Sequence, residues 1–227
     1  MGILCNFAHY NNHITNVMKN IATEFAARLL DVKAVKVQPA EPFTWASGWK
    51  SPFYCDNRKT LSYPELRTFV KDNLVELVKA NFGEATAVAG VATGAIAQGA
   101  LVADKLGLPF CYVRSKAKDH GMGNLIEGTL PEGSKVVVVE DLISTGGSSL
   151  KAVEALRAAG FEVVGMVAAY TYGFPIAEQA FQNAGVRLVT LTNYEAVVEV
   201  AIASGYITAD QQPTLNEWRK DPANWMA

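Results

Sequence analysis

Val136-Val137-Val138-Val139-Glu140-Asp141-Leu142-Ile143-Ser144-Thr145-Gly146-Gly147-Ser148-Ser149 is the stretch from which the fold of this 227-residue chain is read. Four β-branched residues in succession suit a central strand buried on both faces, since a half-exposed strand would alternate apolar with polar positions. Carboxylates, hydroxyls and two glycines follow just where a helix is expected, from about Gly147 to Ala159. The same alternation extends outward in both directions. Before the stretch come a strand near Ala85 to Val91, a helix to about Leu106 and a strand from Phe110 to Val113. After it come a strand from Val163 to Tyr170, a helix from Pro175 to Asn183, a strand from Val186 to Leu191 and two C-terminal helical stretches. Short apolar runs separated by helices predict an α/β fold: a doubly wound, mostly parallel sheet flanked by helices, with ligands at the carboxyl ends of its strands.

Nearer the N-terminus a helix is expected to begin at Thr15 or Asn16, its apolar stripe running Val17, Ile21, Phe25 and Leu29. A short apolar stretch at Val35 to Val37 follows, and Pro42 to Tyr63, dense in Ser, Gly, Pro and aromatics, reads as strands and turns. Ser62 and Glu65 form a candidate capping box for a helix with Pro64 in its first turn and a stripe of Leu66, Phe69, Val70, Leu74, Leu77 and Val78, stopped by Gly83. The expected organisation is an N-terminal extension (1–17), removable by a second start at Met18, and a single domain (18–227). That domain divides into a helix and small cap (18–62) and the core (63–227).

Composition narrows the function classes. Half the residues are hydrophobic and 19% charged, which is ordinary globular composition. Twenty Lys+Arg against 22 Asp+Glu leave a net charge of -2, unlike a protein that grips nucleic acid through its phosphates. Three scattered cysteines make neither a disulfide framework nor a zinc cage, so a reducing cytoplasm is the expected location. The start lacks the basic and apolar regions of a secretory signal, and Asn6 stands where a myristoylation motif needs Ser or Thr. The uncharged run from Ala85 to Ala103 is mostly Ala, Gly, Thr and Gln, better suited to a strand, a turn and a small-residue helix than to a membrane span.

The chemistry concentrates in two places. After the valine strand, glycines let backbone N–H groups converge at a helix start, and Ser144, Thr145, Ser148 and Ser149 add hydroxyl donors; together these suit a phosphate monoester. Glu140 and Asp141 would repel that phosphate and are expected to face ribose-like hydroxyls or a metal-bound water. The second place is Tyr112 to Gly128, where Arg114, Lys116, Lys118 and His120 precede Gly121, Gly123 and Gly128: a cationic, glycine-rich loop suited to a polyanion. Gly94 and Gly99 have Walker spacing but Ala100 stands in place of the lysine, and Ile126 spoils a GxGxxG from Gly121. His9 and His13 are four apart with no third metal ligand in sight.

VVVVEDLISTGGSS resembles the ribose-phosphate signature of the type I phosphoribosyltransferases. Tyr112 to Gly128 resembles the mobile catalytic loop of the orotate phosphoribosyltransferases, and Phe43 to Arg58 their N-terminal signature. The match runs from about Met18 to Tyr206. The resemblance implies the type I phosphoribosyltransferase fold and transfer of phosphoribose from 5-phosphoribosyl 1-diphosphate to orotate, with Mg²⁺, in a homodimer whose loop 114–128 reaches the partner's site. It implies that Glu140 and Asp141 hold the ribose hydroxyls, that Ser144, Thr145, Gly146, Gly147 and Ser148 wrap the 5-phosphate, that Leu142 and Ile143 are among the substrate-binding residues, and that Ser144 lies close to orotate. It places Arg114, Lys118 and His120 on the diphosphate with Lys116 assisting, and makes Val91 to Ile96, with Thr93, the diphosphate loop. Asp141, Arg114, Lys118 and His120 are thereby the expected catalytic residues.

Departures accompany the resemblance. Ala46 stands where many members have Lys, leaving Lys50 as its replacement, and Ser115 stands where many have a second loop cation. Tyr170-Thr171-Tyr172-Gly173 lacks the arginine expected to pair with the orotate carboxylate, and Arg58 is the candidate in its place. A phosphoribosyltransferase for another base, or a non-catalytic sensor of the donor, are the competing readings. A sensor would be expected to carry a basic DNA-binding extension and a degraded loop.

Overall fold

The computed structural model describes residues 20–45, 47–115 and 125–226. Its first helix, α1 (residues 20–31), buries Phe25 and Leu29 as the stripe predicts, while its expected start at Thr15 or Asn16 lies outside the described residues. Two small antiparallel sheets follow: β1 (Val35–Val37) pairs with β4 (Phe53–Cys55), and β2 (Phe43–Thr44) with β3 (Lys50–Ser51). A 3₁₀ turn at Asn57–Ser62 leads into α2 (Pro64–Asn81).

The Ser62 capping box does not form. Proline forces the residue before it into extended backbone, so Tyr63 (φ -109, ψ 104) is the N-cap, and Ser62 ends the 3₁₀ turn instead.

Six strands make the main sheet: β5 (Ala87–Val91), β6 (Phe110–Val113), β7 (Ile126–Glu127), β8 (Lys135–Ile143), β9 (Glu162–Thr171) and β10 (Leu188–Asn193). Their order is β10-β9-β8-β5-β6-β7, parallel except for β7. The helices are α3 (Ile96–Leu106), α4 (Gly147–Ala158), α5 (Pro175–Asn183), α6 (Tyr194–Ala203) and α7 (Gln212–Lys220). The uncharged run from Ala85 to Ala103 is divided between β5, a turn and α3, and no helix among the described residues is long and apolar enough to cross a membrane.

Strand alternation builds two cores. Val88, Val137, Val139, Val167 and Leu191 pack with α1, α2, α3, α6 and α7 on one face. Ala87, Ala89, Val136, Val138, Met166 and Ala168 pack with α4 and α5 on the other. All four valines are fully buried, as a doubly wound sheet requires.

Three strands depart from expectation. β7 forms within the stretch read as a loop, pairing antiparallel with β6. β8 runs four residues beyond the valines, so Glu140 and Asp141 lie within it, and Glu140, Leu142 and Ile143 pair along β9. β10 starts at Leu188 because the Val186 N–H is spent on the Phe181 carbonyl at the end of α5.

The β8–β9 register shifts at Val136/Val137, just before Gly165, and a Cβ at Gly165 would overlap the buried Phe82 ring. Gly165→Ala is therefore expected to cost about 1–3 kcal/mol. In a domain of this size that lowers the thermal midpoint by roughly 2–12 °C, readable by a circular dichroism melt.

Candidate active site

Glu140 and Asp141 are neighbours on a strand and so leave it on opposite sides. Glu140 turns to the α4 side, where it is 4% exposed. One of its carboxylate oxygens accepts from Ser149 Oγ at 2.8 Å and the other from the Asp141 N–H at 2.9 Å. Ser149, expected among the phosphate donors, is thus buried and spent on Glu140, and Glu140, expected to face a ribose hydroxyl, is turned inward. Burial, reinforced by the charge of Asp141, pushes the Glu140 carboxyl well above the ordinary carboxylate range.

Asp141 takes the other side and is the less buried of the two acids. Its carboxylate lies against Gly94 so closely that a Cβ there would overlap it, which joins the end of β8 to the Val91 to Ile96 turn between β5 and α3. Burial raises its pKa too, opposed by the hydrogen bond from Glu140 and the charge of Arg58. The Asp141 carbonyl accepts from Asn57 Nδ2 at 2.6 Å, tying the cap to the acidic pair. Asn57 is buried and stands inside the Phe43 to Arg58 signature, yet its role had no sequence signal, because the partner is 84 residues away. Arg58 pairs with Asp56 at 2.7 Å and remains largely exposed.

The anion cradle forms at the start of α4. Gly146 is its N-cap with φ 81, a left-handed conformation, and a Cβ there would also press on Phe181, so glycine is required twice over. No side chain caps this helix, which leaves N–H groups of its first turn to an incoming anion; Gly147 and Ser148 are exposed there, with Ser144 and Thr145 half-buried beside them. Leu142 and Ile143 also part, in the reverse order to the acids, because the alternation is interrupted at Asp141. Leu142 faces the cap, whereas Ile143 buries its side chain on the α4 side and its carbonyl accepts from the Tyr172 N–H.

Beside the cradle is a pocket of about 260 Å³, lined by Thr44, Trp45, Tyr54, Cys55, Leu142, Ser144 and Tyr172. Aromatic walls and a few polar atoms suit a flat heterocycle. Burial, with the charges of Asp141 and Asp56, pushes the Cys55 thiol up, so it meets the pocket as a neutral group. Thr93 is exposed on the Val91 to Ile96 turn. Lys50 donates to Thr44 Oγ1 at 2.9 Å, at the pocket's edge. The Arg114 guanidinium stands 3.4 Å from Glu127 across the β6–β7 pair. Lys116, Lys118 and His120 lie outside the described residues, as do Ala46, His9, His13 and Cys5. Among the described residues, no three His, Cys, Asp or Glu are grouped to hold a metal.

Residues 62–204 match the phosphoribosyl transferase domain. Over 208 residues the chain is 72% identical to the orotate phosphoribosyltransferase of Bacteroides fragilis, covering 92% of this chain and 98% of that relative. This chain belongs to the orotate phosphoribosyltransferase family. Among solved structures, the Aeropyrum pernix orotate phosphoribosyltransferase superposes with TM-score 0.70 at 32% identity, covering 81% of this chain and 99% of that one. The Mycobacterium tuberculosis orotate phosphoribosyltransferase in complex with 5-phospho-alpha-D-ribosyl 1-diphosphate superposes with TM-score 0.60 at 25% identity, covering 78% and 98%. The enzyme thus has the type I phosphoribosyltransferase fold expected from its sequence.

The raised Glu140 pKa has a consequence for this family member. The folded chain keeps a proton that the unfolded chain loses in the ordinary carboxylate range. The stability Glu140 contributes is therefore full below that range and is lost as pH rises through the folded value. In Glu140→Gln the amide can accept from the Asp141 N–H and donate to Ser149 Oγ without the buried charge. Its thermal midpoint is expected to gain on the parent between about pH 5 and about pH 8, measured in parallel melts; a gain that shrinks with rising pH contradicts the assignment.

Proposed function

We propose that the enzyme joins N1 of orotate to C1 of 5-phosphoribosyl 1-diphosphate, releasing diphosphate and forming orotidine 5'-monophosphate, a step of UMP biosynthesis. The observation that carries this reading is that the aromatic pocket opens at Ser144, the first residue of the anion cradle. A phosphoribosyl group seated by its 5-phosphate at Ser144 to Ser148 therefore has its C1 end beside a ring lying in the pocket.

The chemistry needs no covalent nucleophile. The C1–O bond breaks with its electron pair leaving on diphosphate, the N1 lone pair makes the new bond, and the N1 proton is given up. Positive charge grows on the ribose and negative charge on the leaving group, so catalysis amounts to holding both in place and stabilising those charges. Asp141 stands on the ribose side and accepts from its hydroxyls. Glu140 supports it from behind through the Asp141 N–H rather than by facing the sugar in this arrangement. The Thr93 turn, Arg114, Lys116, Lys118 and His120 receive the diphosphate, and Lys50 stands at the pocket edge.

Mg²⁺ fits this donor set. One presented carboxylate beside an anion cradle, with no grouping of three metal-ligating side chains among the described residues, suits an ion that keeps water and substrate phosphate oxygens as ligands. When bound it supplies positive charge to the leaving diphosphate. A homodimer that shares loop 114–128 across subunits, in the cytoplasm, completes the reading.

The first test is the absorbance of orotate mixed with the protein, donor and Mg²⁺, with uracil, hypoxanthine and adenine in parallel. Loss of orotate signal dependent on donor and Mg²⁺ is expected. Turnover of another base alone would overturn the acceptor, and donor binding without turnover of any base would indicate a sensor.

Removing one preorganised donor from such a site costs about 10²–10³ in rate, so Lys118→Ala is expected to lose that much turnover with an unchanged melting midpoint. Mixed with Asp141→Asn, it is expected to regain activity in hybrid dimers. Absence of regain in verified hybrids would count against a shared site.

A further inference from the structure

The walls of the acceptor pocket come from separate parts of the chain. Leu142 lies at the end of β8, Ser144 follows it and Tyr172 follows β9, but Thr44 and Trp45 come from the β2–β3 hairpin, a two-stranded sheet that is not part of the main one. Adjacent residues of α7 hold two of these walls. Trp218 is fully buried, and its Nε1 donates to the Lys50 carbonyl in β3 at 3.2 Å. Its ring meets Trp45 edge-on at 5.9 Å and stacks on Phe53 at 5.3 Å. Arg219 grips the other wall: Nε donates to the Tyr172 carbonyl at 3.1 Å and Nη2 to the Gly173 carbonyl at 3.0 Å. Its Nη1 pairs with Glu195 at 2.6 Å and its guanidinium lies over the Tyr194 ring at 4.9 Å, so the clamp is itself anchored on α6.

This is the turn where the sequence lacks an arginine, Tyr170-Thr171-Tyr172-Gly173. Arg219 brings a guanidinium to it from outside the matched domain, which ends at residue 204. The guanidinium faces backbone carbonyls and Glu195 and is not among the residues lining the pocket, so it acts through Tyr172. It also occupies the carbonyl oxygens of Tyr172, which lines the pocket, and of the next residue, Gly173.

We propose that α7 is a strap for acceptor binding: Trp218 and Arg219 are positioning residues that set the hairpin wall and the Tyr172 wall of the pocket at their working separation. The inference rests on the reading of that pocket as the orotate site. It separates the two substrates, because the donor cradle at α4 and the Gly94 turn make no contact with either residue in the bonds described above. Loosening the strap should therefore weaken the acceptor and spare the donor.

The experiment is steady-state kinetics of the full chain with both substrates varied, for Trp218→Phe, Arg219→Lys and Leu142→Phe, alongside thermal melts. Trp218→Phe keeps an aromatic ring but loses the indole N–H and part of the ring packing; Arg219→Lys keeps the charge and loses the two-carbonyl fork. Each is expected to raise the orotate KM about tenfold while the donor KM stays within about twofold and kcat within about threefold. A merely structural role would lower the melting midpoint and leave both KM values unchanged, and that result, or an equal rise in both, overturns the strap. Leu142→Phe fills the pocket itself. If it raises the orotate KM while the α7 variants do not, the strap alone falls. If it leaves the orotate KM unchanged, the pocket is not the acceptor site and both readings fall. Should Trp218→Phe fail to fold, Arg219→Lys, at a half-buried position, decides the matter by the same ratio of KM values.

Discussion

Burial of β8 on both faces is the constraint on which the rest depends. A strand whose successive valines are all hidden must have neighbours on both edges and helices on both sides, and β5, β9 and the two helical layers supply them. The same strand cannot stay apolar to its end, because its carboxyl end is where the sheet opens to ligands. The change from valines to two acids and then to glycines and hydroxyls marks that transition, and it lets one continuous segment carry both the core and the anion cradle.

Pleating then divides the work between the acids. Glu140 goes under α4, where it accepts from Ser149 and the Asp141 N–H and burial holds its proton; Asp141 goes toward Gly94 and the cap while keeping a side-chain hydrogen bond with Glu140. A pair of adjacent carboxylates thus becomes one internal brace and one presented acceptor. The glycine at 94 has the same origin, since the acid needs the space that a side chain on the neighbouring turn would take.

The cap is held by a different kind of force. Its two sheets are only two or three residues deep, too short to stand alone, and they are fastened by aromatic packing and single hydrogen bonds. Phe53, Tyr172, Phe174 and Tyr194 all meet Trp218, and the Trp45 indole donates to the Phe53 carbonyl at 2.9 Å. Each ring contact adds on the order of 1 kcal/mol beyond its buried area, enough together to order a hairpin that the main sheet does not reach. The pocket is then a gap between a rigid strand end and a packed but separate cap.

The sequence by itself determined the doubly wound sheet, the glycine turn at the start of α4 and the family, because these depend on local pattern: consecutive β-branched residues, periodic helix stripes and glycines at a strand-to-helix turn. It misplaced the start of α2, where the backbone restriction before Pro64 outranked a plausible capping pair, and it gave no sign that Ser149 donates to Glu140. Only the tertiary structure decided that Asn57 holds Asp141 and that Arg219 reaches the turn lacking an arginine of its own. These partners are separated by 84 and 47 residues, so no local spacing announces them. A hydrogen bond is chosen by what the folded layers bring within 3 Å, and that depends on the packing of the whole chain rather than on any segment.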